Sequence, residues 1–191
     1  MALSAEQIVT LIRQHMDSPH TSRLPVLVVA AVYEAASAYL GEQALTLESH
    51  NAADSQTHSL GDVMITLVDE TNVVTAYEVK MRRITINDID HALPKIQHAE
   101  HTVDNYIFIT TDVIQEDVIR YCAALYETTH VEVVVLDCLS FLRHFLHLFH
   151  RVRMPFLDAY QKLVLSESDS AVSQPLKETF LALRRAAEAA E

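Results

Sequence analysis

The sequence predicts a mixed α/β fold, and three observations carry that prediction. Short β-branched runs at 63–68, 73–81, 106–110 and 131–136 are interleaved with longer stretches whose apolar residues recur at helical spacing. Only two glycines occur in 191 residues, which leaves few sharp turns and favours helices. Half of the residues are hydrophobic, enough for a chain of this length to bury a proper core. The order is helix, hairpin, helix, strand, helix, strand, then helices, so strands and helices share one fold rather than separate blocks.

Each element has a local reason. Ser4 is placed to cap a helix over 5–16, with Ile8, Leu11, Ile12 and Met16 on one side. A polar connection at 20–24 leads to Pro25, which suits the first turn of a helix running to about 40 and ending at Gly41. This second helix is apolar almost all round, which predicts deep packing. Glu34 is its one acidic interruption and must lie on the solvent face or point at something positive. Residues 44–48 read as a short strand and 51–59 as a polar loop. A hairpin follows, with strands at 63–68 and 73–81 and a turn at 69–72. Asn87 or Asp88 is the expected cap of a helix reaching about 101, kinked or split by Pro94. Beyond it come a strand at 106–110, a helix at 114–126, a strand at 131–136, and helices at 139–152, 155–165 and 175–190. The serine-rich, acidic link 166–173 sets the last helix apart. The expected organisation is a main domain over 1–165, with 166–191 as a linker and a C-terminal helix packing on it.

Composition narrows the partners. A net charge of −12 argues against a nonspecific coat on nucleic acid, which needs clustered Lys and Arg. The distribution softens that objection. Residues 1–140 carry 7 basic and 20 acidic side chains, whereas 141–191 carry 7 and 6. Cys122 and Cys138 are too few for a disulfide scaffold or a cysteine zinc site and read as buried thiols. No apolar run reaches the roughly 18 residues of a membrane span, and the N-terminus lacks a signal-peptide pattern, so a cytoplasmic protein with no membrane partner is expected.

The chemistry concentrates in the hairpin. Strand side chains alternate faces, so Glu78 and Lys80 share one face while Tyr77 and Val79 take the other. Asp62 enters the partner strand and needs only a modest twist to approach Glu78. Two carboxylates and an ammonium thus converge at one end of a hairpin whose other residues favour burial. Such a cluster is either a site or a neutralised structural knot, with Glu78 and Lys80 as a same-face ion pair. Arg82 and Arg83 follow directly and suit phosphate contacts, or simply solvated strand-end charges. Thr85, Asn87 and Asp88 come next in the chain, without an assigned role. His144, His147 and His150 recur every three residues on the predicted 139–152 helix, the expected border of an aromatic packing face. His50 and His58 receive no role. Glycine-rich phosphate loops, nucleophile elbows and zinc-ligand spacings do not occur.

Gly61-Asp62 on one strand, fifteen intervening residues, then Glu78-Val79-Lys80 on the next resembles the active-site layout of the PD-(D/E)XK nuclease superfamily, with Gly61 where proline is nominal. Within it the chain is similar to the SacI-type type II restriction endonucleases, from the 25–40 helix through the hairpin to Phe141 and Arg151. The resemblance implies a restriction-endonuclease-like mixed sheet flanked by helices, with a helical C-terminal part. It implies a Mg²⁺-dependent endonuclease cutting double-stranded DNA, working as a homodimer on a palindromic site. Asp62, Glu78 and the Val79 carbonyl would hold the metal, and Lys80 would sit beside the attacking water. Glu34 would hold a metal-bound water or a second metal, and Arg82 and Arg83 would bind DNA. The alternatives are a structure-selective nuclease of the same fold, such as a junction resolvase, and a catalytically silent DNA-binding or regulatory module.

Overall fold

The computed structural model describes residues 2–47, 60–99 and 103–189. The expected polar loop at 51–59, with His50 and His58, lies outside the described residues. The chain divides into two compact units, one of residues 1–40 with 139–191 and one of residues 41–138. This division cuts the chain differently from a boundary at 165.

The helical unit begins with α1 (Ala5–Met16) and α2 (Leu24–Leu40) and ends with α5 (Cys138–Leu148), α6 (Arg153–Ser166) and α7 (Gln174–Ala189). Ser4 caps α1 as expected, in a reciprocal box: its hydroxyl accepts the Gln7 N–H, and the Gln7 side chain accepts the Ser4 N–H. Ten consecutive residues of α2, Leu24 to Tyr33, are buried, as its apolar circumference predicted. Gly41 ends it in the left-handed region at φ 69°, where a side chain would be strained. α2 packs on α6, and α7 packs on α1 and α6, so the last helix belongs with the first. The expected single helix over 139–152 stops at Leu148 and is followed by a 3₁₀ turn, His150–Val152.

His15 lies at the centre of this unit, fully buried. Its Nε2–H donates to the Leu176 carbonyl and its Nδ1 accepts the Tyr160 hydroxyl, both at 3.0 Å, with the Phe180 ring 5.3 Å away. Burial pushes the imidazole down to about 4, so it is neutral at pH 7.

The sheet unit holds β1 (Glu42–Ala44), β2 (Val63–Leu67), β3 (Val73–Lys80), β4 (Asn105–Thr110) and β5 (Glu132–Asp137), side by side in that order. β1, β2 and β3 run antiparallel to their neighbours, while β3, β4 and β5 are parallel, a mixed sheet. Parallel neighbours require crossovers, and α3 (Ile86–Gln97) and α4 (Glu116–Thr129) supply them. The strand expected at 44–48 instead covers Glu42–Ala44, because Gly41 turns the chain straight back and Glu42 pairs with Leu67. Thr85, rather than Asn87 or Asp88, caps α3; Asp88 is the reciprocating residue of its capping box. α3 contains Pro94 and ends three residues later rather than at 101.

Register explains where the core sits. Ala76, Tyr106 and Val133 form one row across the parallel strands, and Phe108 and Val135 lie in the next row on the same face. These residues pack with Ile89, Ala92 and Ile96 of α3 and Val118, Cys122 and Leu125 of α4. Both cysteines are buried free thiols, as expected. Among the described residues no helix is long and apolar enough to cross a membrane.

The buried His15 generates a pH dependence. Below its ordinary value of 6.5 the unfolded chain takes up a proton that the folded ring refuses. Stability from this group is therefore full above pH 6.5 and drains as the pH falls toward 4, by on the order of 3 kcal/mol across the window. Urea denaturation at pH 7.5, 6 and 5 should show the midpoint dropping, and His15→Gln should flatten that slope.

Candidate active site

The site begins where the β2 ladder ends. Val63 pairs with Tyr77, and Asp62 stands one residue ahead, exposed. Its Oδ2 accepts the backbone N–H of Val79 at 2.7 Å, so the carboxylate sits on the peptide that joins Glu78 to Val79. In an extended strand the N–H and C=O of one residue emerge on the same edge, so the Val79 carbonyl faces the Asp62 side too. Gly61 makes this approach possible. A Cβ built on it would lie 2.5 Å from the Tyr77 carbonyl oxygen, a separation no real side chain tolerates. The departure from a nominal proline at this position thus has a local steric cause.

Glu78 continues the row of Phe108 and Val135, on the sheet face that α3 and α4 cover. Its carboxylate is surrounded by donors. Oε1 lies 2.7 Å from the Lys80 ammonium, as same-face placement predicted. Oε2 accepts the Tyr106 hydroxyl at 2.6 Å and lies 3.8 Å from the Lys95 ammonium. The Glu78 side chain is 15% exposed, against 25% for Lys80 and 32% for Lys95, so the cluster opens to solvent through its cations. The next row is Lys80, Thr110 and Asp137, a polar line at the carboxyl ends of the three parallel strands. That end of a parallel sheet is where open α/β proteins place their ligands.

Tyr106 and Lys95 are the members that sequence reasoning missed. Tyr106 sits among apolar strand neighbours and its ring is fully buried, but its hydroxyl reaches the site. For Lys95 a signal existed: between Arg83 and Arg120 it is the one Lys or Arg in an acidic chain.

Other expected residues have different engagements. Glu34 belongs to the helical unit, where its exposed carboxylate accepts the Lys162 ammonium at 2.7 Å. Arg82 grips Asp88 with both terminal nitrogens, at 2.9 and 2.6 Å, and Asp88 also accepts the Thr85 hydroxyl and N–H. The Arg82 guanidinium, followed by the Thr85 donors, holds the Asp88 carboxyl well below the usual carboxylate range. Arg83 is exposed, and Asn87 is exposed in the first turn of α3. Of the histidine series, His147 and Arg143 both bind the Glu6 carboxylate, His144 is exposed, and His150 falls in the 3₁₀ turn rather than on the same helix.

The donor set decides which cation would suit the site. Among the described residues no group of three or more His, Cys, Asp or Glu side chains gathers as a metal cage. Asp62, Glu78 and the Val79 carbonyl offer oxygen only and few ligands. That fits Mg²⁺, which keeps several of its waters, and not zinc, which favours nitrogen and sulfur.

The tight seat of Gly61 gives a direct test. Gly61→Ala should force β2 away from the Tyr77 carbonyl and destabilise the fold by about 1–3 kcal/mol, read from urea unfolding. The Val79 amide should lose its hydrogen-exchange protection in the same variant.

The family profile of the SacI restriction endonuclease C-terminal domain matches residues 2–111. That is 110 of 191 residues, more than half of the chain, spanning α1 to the end of β4 and including Asp62, Glu78 and Lys80. The match starts ahead of the 25–40 helix and stops short of Phe141 and Arg151, so it covers a different stretch from the likeness expected there. No curated protein matches the chain. The chain belongs to the SacI restriction endonuclease C-terminal domain family.

Proposed function

We propose that this chain is a Mg²⁺-dependent endonuclease that hydrolyses phosphodiester bonds of double-stranded DNA, as part of a type II restriction enzyme with a PD-(D/E)XK active site. The observation that carries the proposal is the seating of the Asp62 carboxylate on the Glu78–Val79 peptide, with Lys80 on the Glu78 carboxylate. One short strand segment thereby joins both acids and the ammonium. Family membership adds weight, as does the antiparallel hairpin that feeds a parallel strand through α3.

Asp62, Glu78 and the Val79 carbonyl would hold the metal. Mg²⁺, when bound, supplies a water of lowered pKa and neutralises charge developing on the phosphate oxygens. Lys80 then has two tasks. While paired it keeps the Glu78 oxygen directed outward, and beside a bound phosphodiester its ammonium orients the attacking water and stabilises the added negative charge. Arg82, pre-oriented by Asp88, and the exposed Arg83 stand just past the strand end and suit contacts to flanking phosphates. The account does not require Glu34, whose carboxylate is engaged by Lys162. Cutting both strands of a palindromic site calls for two such sites related by a two-fold axis, hence a homodimer.

Incubating phage or plasmid DNA of varied sequence with the protein and Mg²⁺ should yield discrete fragments, with none in EDTA. Asp62→Ala and Lys80→Ala should each slow cleavage by roughly 100-fold or more. Intact DNA with the wild type, or cleavage unchanged in both variants, would sink the reading.

A further inference from the structure

The Tyr106 hydroxyl reaches two groups from different parts of the site. It lies 2.6 Å from Glu78 Oε2 and 2.8 Å from the carbonyl oxygen of Leu60, the residue just before Gly61-Asp62. Both are acceptors and a phenol has one proton, so the donation is shared, with the charged carboxylate as the stronger partner. The ring itself is fully buried, stacked at a tilt on Phe108 with 5.3 Å between centroids, in the cluster that α3 and α4 cover. Its hydroxyl is thus a fixed point carried by β4, touching the segment ahead of Asp62 and the side chain of Glu78.

We propose that Tyr106 is a positioning residue for a divalent-cation site: it ties down Glu78 Oε2, so that Oε1 is the oxygen presented to the cation, and it registers Leu60-Gly61-Asp62 against Glu78. Lys80, 2.7 Å from Oε1, is the resident counter-ion that the cation must displace there, and Lys95, 3.8 Å from Oε2, adds a second positive charge that opposes the cation. The inference rests on the nuclease reading above and deepens it by naming what sets the cation affinity. Outer partners that orient a ligand carboxylate commonly change metal affinity or activity by roughly 10- to 100-fold. Tyr106 and Lys95 should push in opposite directions, one by removing orientation and the other by removing a competing charge.

The test is calorimetric titration of Mn²⁺ into the full chain without DNA, alongside DNA cleavage over a range of Mg²⁺ concentrations. The wild type should bind Mn²⁺, and Asp62→Asn should abolish binding. Tyr106→Phe, which keeps the ring, should weaken binding by roughly 10- to 100-fold. Its cleavage should recover when Mg²⁺ is raised, a rescue that a merely structural role would not give. Lys95→Met should bind Mn²⁺ severalfold tighter. A folded Tyr106→Phe with wild-type Mn²⁺ affinity overturns the proposal. Should that variant fail to fold, Lys95→Met decides: unchanged or weaker affinity overturns it equally. A wild type that neither binds Mn²⁺ nor cuts DNA removes the nuclease reading itself, an outcome distinct from either variant result.

Discussion

The hydrogen bond from the Val79 amide to the Asp62 carboxylate is the contact on which the site depends. It extends the β2–β3 pairing by one residue beyond Val63–Tyr77, but with a side chain where a backbone carbonyl would normally stand. The substitution has a geometric requirement, since the chain just ahead must run against the Tyr77 carbonyl, and only a residue without a Cβ fits there. Position 61 therefore answers to sterics and position 62 to chemistry. Together they place a carboxylate at a strand edge.

Charge in this site is balanced locally, against a strongly acidic background. A chain with a net charge of −12 spends two of its fourteen lysines and arginines on a single carboxylate, Glu78. Ion pairs this accessible contribute little to stability, commonly below about 1 kcal/mol each. Their larger effect is on orientation. With Lys80 on one oxygen and Tyr106 and Lys95 at the other, the carboxylate has little rotational freedom, which is the preorganisation that ligand chemistry rewards.

Much of this was legible in the sequence because the relevant signals are local. Alternation in a β-branched strand puts Glu78 and Lys80 on one face, and the structure pairs them at 2.7 Å. Ser4 marks the start of α1 as its cap, and Gly41 marks the end of α2. What escaped was non-local. Tyr106 and Lys95 reach Glu78 from 28 and 17 positions away, through a parallel pairing and a crossover helix that no short pattern encodes. The α3 cap is Thr85, not Asn87 or Asp88: Asp88 is chemically a good cap, and only the actual turn shows Thr85 in that role with Asp88 answering it. The engagement of Glu34 with Lys162 is likewise a long-range pairing, across 128 positions.

The junction between β3 and α3 has a mechanical consequence. Arg82 lies two residues past the end of β3 and Asp88 in the first turn of α3; a two-pronged guanidinium–carboxylate clasp joins them, and Thr110 hooks the Arg82 carbonyl from the neighbouring strand. A helix fastened so firmly at its first turn behaves as a lever pivoted at one end. Lys95 sits two turns out along the arm, so a slight tilt of that rod would translate into a change of reach at Glu78.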